Sequence, residues 1–445
     1  MSSKHMRLVR SRRPWASRLL GHQAHPHHHH HSFSTTIPNL HLMSLANFTQ
    51  TQITVRDAIF QVCDKFPNSY WRSLDQTAQD PADFHAALAN SGWLGIALPE
   101  SLGGSGLGIS EATIMMQTIS ESGAGMAGAQ SIHANVYATQ PLARFGTPKQ
   151  LDSTIPRIIS GEWRVCFGVT EPNAGLDTLR LSTRAKKQPD DGSYKVTGQK
   201  IWITCAQVAK KMILLARTTP LDRVKKASEG LSLFCIDLDR TGTKGGLSMR
   251  RINKMGGRAV DANEVFFDQY RIPADSLIGT EGQGFKIILH GMNAERCLLA
   301  GEALGLGYAA LGKAAEYAKD RHVFRRPIGM NQGIAHPLAD AYMRLEAAKM
   351  ATYHAANMYD ASRTDEAIRQ EDVGVACNTA KYLAAEAAFT ACERAITTLG
   401  GMGYAVEMDV ERWFRDSMVP RIAPVSKEMI LNYIGEKVLG LPRSY

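Results

Sequence analysis

The spacing of apolar residues changes its period twice along this chain, which narrows the folds open to it. From residue 53 to about 150 apolar positions recur every three or four residues. Val55, Ile59, Val62 and Phe66 make one helical face, and Phe84, Leu88 and the Trp93–Leu94 pair continue it. Between residues 161 and about 273 that period vanishes. WRVCFGVTEP, SYKVTGQKIWITC, KMILLART, LSLFCIDL and EVFFDQYRI are short runs rich in β-branched and aromatic residues, parted by turns such as PDDGS and TGTKGG. Helical spacing returns at Gln283, with further helices over 335–359, over 371–399 and from about Lys427. Helices, then strands, then helices exclude a doubly wound sheet, where the two alternate. The expected fold class is α+β and multidomain: a helical N-terminal domain over 49–160, a middle antiparallel β-domain (sandwich or barrel) over 161–275, and a helical C-terminal domain over 276–445. Ser110 is placed to cap the helix that begins ISEAT. The Gly-rich LPESLGGSGLG (98–108) lacks the spacing of a dinucleotide fingerprint or P-loop and reads as a turn.

The head of the chain differs from its body. Residues 1–55 hold no Asp or Glu but carry Lys4, Arg7, Arg10, Arg12, Arg13 and Arg18. An Arg-rich, Ser-containing, acid-free stretch has the composition of a mitochondrial transit peptide, so residues 1–48 are expected to be an address. A merely disordered basic tail has the same composition. HSFSTT (31–36) looks like a processing region, and His27–His31 is a low-complexity run within it. The expected location is the mitochondrial matrix, with peroxisome or cytosol as alternatives; the terminal PRSY is not an SKL-type signal. Of 51 Lys and Arg, those six leave 45 against 42 acidic residues, so the body is nearly neutral and gives no reason to expect nucleic-acid binding. No apolar run is long enough to span a membrane. The seven Cys form no CxxC pair and the six His after residue 42 are scattered, so neither a disulfide framework nor a metal site is expected.

One helix carries a misfit. Over GQGFKIILHGMNAERCLLAGEALGLGYAA (282–310), Phe285, Ile288, Leu289, Met292, Leu299, Ala303 and Leu306 form an apolar stripe, and Glu295 falls on it. A carboxylate against a packed interior is costly to ionise, so its pKa should rise, which suits general-base work. Pairing with a basic residue across a helix interface is the structural alternative.

VTEPNAG (169–175) and IWITC (201–205) stand in the β-domain. Together with RHVFRRPIGMNQ (321–332), LGGMGY (399–404) and RWFRD (412–416), in that order, they resemble the acyl-CoA dehydrogenase family. GWLGIALPESLGGSGLG and the helix with Ala294–Glu295–Arg296 are similar to the same family. The resemblance implies a C-terminal four-helix bundle and a homotetramer with FAD at a subunit interface. It implies α,β-dehydrogenation of an acyl-CoA, with a carboxylate taking the α-proton, hydride passing to the flavin N5, and electron-transferring flavoprotein as acceptor. Phe167, Val169, Thr170, Trp202 and Thr204 would line the flavin. As ordinary strand residues they would serve as core aromatics or cross-strand pairs. Arg321, Phe324 and Gln332 would reach the FAD of a neighbouring subunit, and Gly400 and Gly401 would let backbone approach its pyrophosphate. In a structural role those glycines end a helix.

The usual base segment of the short- and medium-chain members is RIAPVSKEM here, with Pro424 at the position of their Glu. Isovaleryl-CoA dehydrogenase and the long-chain branch place the base before an Arg on the earlier helix, which is Glu295 before Arg296. Glu302 and then Glu428 are the next candidates. Pro424 has no N–H to offer the thioester oxygen. Gly175–Leu176–Asp177 replaces the family's GSD, so Gly175, Leu176, Arg296 and Pro424 form the expected substrate set. A base on this helix points to branched or longer acyl chains. The alternative activity is that of a flavin oxidase or monooxygenase on the same scaffold.

Overall fold

The computed structural model describes residues 42–242 and 245–444. The address assigned to residues 1–48 therefore lies mostly outside the described residues. Its last residues depart from the expectation: Met43 is buried, Phe48 packs edge-on against Tyr353 at 4.5 Å, and Lys349 Nζ donates to the Ser44 carbonyl at 2.7 Å.

Helices come first: α1 (Gln50–Cys63), α2 (Asn68–Thr77), α3 (Ala82–Asn90), α4 (Ile109–Ile119), α5 (Gly125–Tyr137), α6 (Thr139–Phe145) and α7 (Pro148–Ile159). Thr49 and Thr147 cap α1 and α7 through capping boxes with Gln52 and Gln150. Ser110 does not cap α4. The N-cap is Gly108, and the Asp360 carboxylate accepts from the Ile109 and Ser110 N–H groups at 2.8 Å each. A Cβ on Gly108 would meet Asp360 Oδ2 at 2.3 Å, so glycine is what lets this distant cap approach. LPESLGGSGLG is a compact turn, as expected. A π-turn over Ser120–Ala124 separates α4 from α5.

The middle domain holds β1 (Val165–Gly168), β2 (Arg184–Lys187), β3 (Tyr194–Thr204), β4 (Lys211–Arg217), β5 (Leu231–Asp237), β6 (Leu247–Arg251), β7 (Ala262–Ile272) and β8 (Leu277–Ile278). They form one sheet in the order β6-β7-β3-β2-β4-β5-β8, with β1 on β4. Most pairs are antiparallel, but β1 and β2 each pair β4 in parallel. Cys166, Tyr194, Phe234, Val265 and Phe267 fill a core of its own.

The C-terminal part is built on three long helices, α8 (Gly284–Asp320), α9 (Gln332–Ala361) and α10 (Gln370–Leu399), followed by α11 (Val410–Asp416), α12 (Val419–Ile422) and α13 (Lys427–Lys437). α8 is enclosed on most sides from Ala294 onward, not along a single stripe, and Leu289 of the expected stripe is exposed. Its glycines explain the enclosure: a Cβ on Gly301 would meet the Thr113 carbonyl at 2.6 Å, and one on Gly305 would meet that of Gln117 at 2.1 Å. α4 thus packs backbone to backbone on α8. RWFRD locks the domains together. Arg412 and Trp413 donate to the Gly123 carbonyl at 2.9 and 3.2 Å, and Asp416 accepts from Gly257 N at 2.7 Å.

Candidate active site

Glu295 stands on α8, against which α5 packs, and is partly covered by protein. Tyr137, the last residue of α5, has its hydroxyl among the groups that hold the Glu295 pKa down, and it packs edge-on against Phe167 of β1 at 5.1 Å. One contact path thus runs from the expected flavin strand to the expected base. Burial pushes the Glu295 pKa up to about 6. The charges of His133 and Arg296 and the Tyr137 hydroxyl pull it down, and Glu302 adds to the rise. The result is a carboxylate poised between its two forms near neutral pH.

Glu302, the second candidate, lies two turns along α8 and is fully buried. Its Oε1 is in short contact with His133 Nδ1, and its Oε2 has no hydrogen-bond partner among the described residues. Burial works against a charge on His133, but Glu302 and Glu295 outweigh it and raise the imidazole above its ordinary value. Glu302 is therefore occupied by a partner inside the protein. Glu428 is exposed at the start of α13.

Arg296 donates to Asn293 Oδ1 at 2.7 Å, while its Nε is buried without a partner among the described residues. Pro424 is half-buried in the loop between α12 and α13. Lys381, buried on α10, donates to the neighbouring Val425 carbonyl and so ties this loop to the bundle. Burial, then the charge of Arg296, lowers the Lys381 pKa to about 8.

The expected β-domain residues are held by local devices. Val169 and Thr170 follow β1 and are half-buried. Lys200 Nζ donates to the Val169 carbonyl and to Glu171 Oε1, both at 2.9 Å, and Ile201 N donates to the Thr170 carbonyl at 2.9 Å. Glu171 also accepts from Ser182 N and Thr183 N at 2.7 and 3.0 Å. This buried web fixes the turn whose main chain is expected to meet the flavin. The register of β3 against β7 shifts between Lys200 and Ile203, and Trp202 sits in the shift with φ +62°. The bulge aims its indole outward, leaving it 56 % exposed, which excludes the core-aromatic alternative. Thr204 ends β3 opposite Ala262. Gly175 and Leu176 are exposed on the turn after Glu171.

The remaining expected cofactor residues lie elsewhere. Cys297 neighbours Cys377, and Cys392 Sγ reaches the Leu306 carbonyl, so α8 and α10 run the same way. Their C-terminal ends, with Arg321, Phe324 and Gln332 on one side and Gly400 and Gly401 on the other, share one end of the bundle. All five residues are exposed, Phe324 at 93 %. From Glu295 to Arg321 the helix runs about 39 Å at 1.5 Å per residue. Within one chain the two sets cannot line one flavin pocket.

The donor set fits a flavin dinucleotide: an outward indole and a pinned main-chain turn for a planar ring, and, at one end of the bundle, an exposed guanidinium and exposed glycines for phosphates. Cβ atoms built on Gly175, Gly400 and Gly401 would meet nothing within 4 Å, so packing inside the chain does not dictate those glycines, and only Gly400 has positive φ. Among the described residues no cluster of His, Cys, Asp and Glu could hold a metal, and no helix is long and apolar enough to cross a membrane. His133, Tyr137, Lys200 and Lys381 had not been singled out. The one available signal was His133 and Tyr137 at i and i+4, sharing a helix face.

Three family models match in sequence order: the N-terminal domain of acyl-CoA dehydrogenase over residues 49–162, its middle domain over 166–270 and its C-terminal domain over 282–439. The acyl-CoA dehydrogenase FadE12 of Mycobacterium tuberculosis is 32 % identical over 396 residues, covering 88 % of this chain and 96 % of that one. Mitochondrial isovaleryl-CoA dehydrogenase of Oryza sativa is 29 % identical over 393 residues, covering 88 % and 92 %. The structure of butyryl-CoA dehydrogenase from Megasphaera elsdenii superimposes with a TM-score of 0.81 at 28 % identity, covering 89 % of this chain and all of that one. The chain belongs to the acyl-CoA dehydrogenase family and is a flavin-dependent oxidoreductase whose cofactor is FAD.

Proposed function

We propose that this enzyme oxidises the Cα–Cβ bond of an acyl-CoA thioester to the trans-2-enoyl-CoA, with Glu295 as general base. FAD, when bound, supplies the hydride acceptor at N5. The chain's own residues do the rest. Glu295 takes the α-proton. Tyr137 holds the carboxylate, and burial keeps it near neutrality so that it can accept a proton and release it again. Phe167, Val169, Thr170, Trp202 and Thr204 orient the flavin, with the Val169 carbonyl pinned by Lys200. Gly175, Leu176, Arg296 and Pro424 line the thioester's path. Because Pro424 has no N–H, the thioester oxygen takes its hydrogen bonds from other groups. Arg321, Phe324, Gln332, Gly400 and Gly401 serve the FAD of a second copy in a homotetramer. Electron-transferring flavoprotein is the acceptor. The acid-free, Arg-rich head supports a mitochondrial address.

The observation that carries this is the path Phe167–Tyr137–Glu295, which ends on a carboxylate titrating near pH 6. The test is anaerobic titration of the holoenzyme with a panel of straight and branched acyl-CoAs, followed by flavin absorbance. Bleaching by one class names the substrate. Near-normal bleaching in Glu295→Gln rejects the base, and rapid reoxidation of reduced enzyme by air alone favours an oxidase.

A further inference from the structure

A fully buried carboxylate on the helix that carries the base must be there for a reason that proton abstraction does not supply. Glu302 is 0 % exposed and its Oε2 has no partner among the described residues. An ionised carboxylate in such a place persists only beside a counter-charge. Its partner is His133, whose side chain is 12 % exposed and whose Nδ1 contacts Glu302 Oε1. The imidazole ring also lies 4.8 Å from the Tyr137 ring, and the Tyr137 hydroxyl and the His133 charge both act on Glu295. His133, Tyr137, Glu295 and Glu302 are therefore one cluster of interacting groups shared by α5 and α8. We propose that His133, held by Glu302 and packed on Tyr137, is a positioning residue for the base: its imidazolium favours the proton-accepting form of the Glu295 carboxylate on the same helix as Glu302. The inference rests on Glu295 being the base.

Every element packed on the cluster contributes a group. α5 contributes His133 and Tyr137, and α8 contributes Arg296 and Glu302. Lys381 on α10 feels the charge of Glu295, Cys166 on β1 faces Tyr137, and Cys377 on α10 and Tyr433 on α13 face Arg296. Of the cations that pull on Glu295, His133 acts more strongly than Arg296. It is also the one whose charge depends on a second residue. Without Glu302, burial would return His133 to its neutral form. Without His133, Glu302 would be left unpaired. Either loss weakens the strongest cationic pull on Glu295.

The test is the pH dependence, from pH 5 to 9, of anaerobic single-turnover flavin bleaching by the best acyl-CoA. Wild type is compared with His133→Gln, Glu302→Gln and the double variant, and FAD content is measured in each. The double variant keeps a neutral hydrogen-bonded pair of similar shape, so it remains informative if a single variant fails to fold. The rate rises with pH as the base ionises. Loss of the imidazolium should therefore move the acid limb upward by about one pH unit, whatever the height of the plateau. The double variant also loses the Glu302 charge, which works the other way, so its limb should move up less than that of His133→Gln. Limbs that superimpose on wild type in both His133→Gln and the double variant overturn the proposal and leave the pair a packing contact. Glu295→Gln separates the two ideas. If it bleaches normally, the base assignment fails and this proposal with it. If it is inactive at every pH while His133→Gln and the double variant keep the wild-type limb, only the proposal fails.

Discussion

At the scale of single residues, two carboxylates show how partners decide a role. Glu295 has a hydroxyl beside it and cations at a distance, so burial wins and its pKa rises to about 6. Glu295→Gln should keep its FAD and lose about 10²- to 10⁴-fold in bleaching rate, read by stopped flow. Burial would also raise Glu171, but the Lys200 ammonium and several hydrogen bonds outweigh it and hold that pKa at about 2. Seen from Lys200 the same pair looks unfavourable, since burial lowers its pKa to about 8. The geometry resolves the conflict: with Nζ on both Glu171 and the Val169 carbonyl, the pair is a clamp whose worth lies in placement. Removing one partner leaves a buried charge, so Lys200→Met should cost roughly 3–5 kcal/mol in denaturant unfolding. The Glu171 contribution is complete above its unfolded pKa, near 4.5, and should be lost as pH falls through about 2. Glu295 was legible because a charge on an apolar stripe stands out. His133 was not, because a lone histidine on a helix face looks the same whether or not a carboxylate waits across the interface. Trp202 could be named from its motif, but the bulge that turns it outward arises from pairing with β7 and leaves no local trace.

At the scale of elements, the three-part order and the long helices were legible because periods of 3.6 and about 2 are written into apolar spacing. Strand partners were not, so the two parallel pairings on β4 had no signal. Nor did the cap of α4, which comes from Asp360 some 250 residues away. α8 was read as having one apolar stripe. The structure buries it on most sides, and the small residues among its large ones are what allow that. Gly305→Ala gains helix propensity, yet its Cβ would sit 2.1 Å from the Gln117 carbonyl, which cannot swing away as a side chain would. A net loss of about 1–3 kcal/mol is expected, measured as a lower denaturation midpoint at unchanged slope. The π-turn at the end of α4 holds a second misfit. Glu121 is buried with neither carboxylate oxygen hydrogen-bonded by geometry, and burial pushes its pKa up to about 7 against the pull of Arg56. A carboxyl raised on folding favours the native state at low pH, and that preference is lost as pH rises from about 4.5 through 7. Glu121→Gln should therefore melt higher than wild type at pH 8 and about level with it at pH 4.5 in paired thermal scans.

At the scale of the whole molecule, the expected cofactor residues fall into two groups at different places on one chain. The first lies in the β-domain, where Phe167 packs on Tyr137. The second sits at the far end of the bundle, about 39 Å along α8, on a surface where Phe324 and Tyr404 are 93 % and 87 % exposed. Large aromatics so open to water, on the segments after α8 and α10 that also carry Arg321 and glycines with empty space above them, are what the proposed homotetramer would cover. Subunit mixing can test that division of labour. Glu295→Gln removes the base and leaves the distal group intact; Arg321→Ala weakens the distal group and leaves the base. Each variant alone should be nearly inactive. Co-expressed in equal amounts, random pairing makes half of the subunit pairs mixed, and each mixed pair holds one site with both Glu295 and Arg321. If two copies share each site, co-expression should restore about a quarter of wild-type bleaching, while about half of the sites, those served by an intact Arg321, hold FAD tightly. Mixing the two variants after purification should restore less, because formed assemblies must first exchange. Were every site built within one chain, no mixture could pair an intact base with an intact Arg321, and co-expression would give only the average of the two inactive variants.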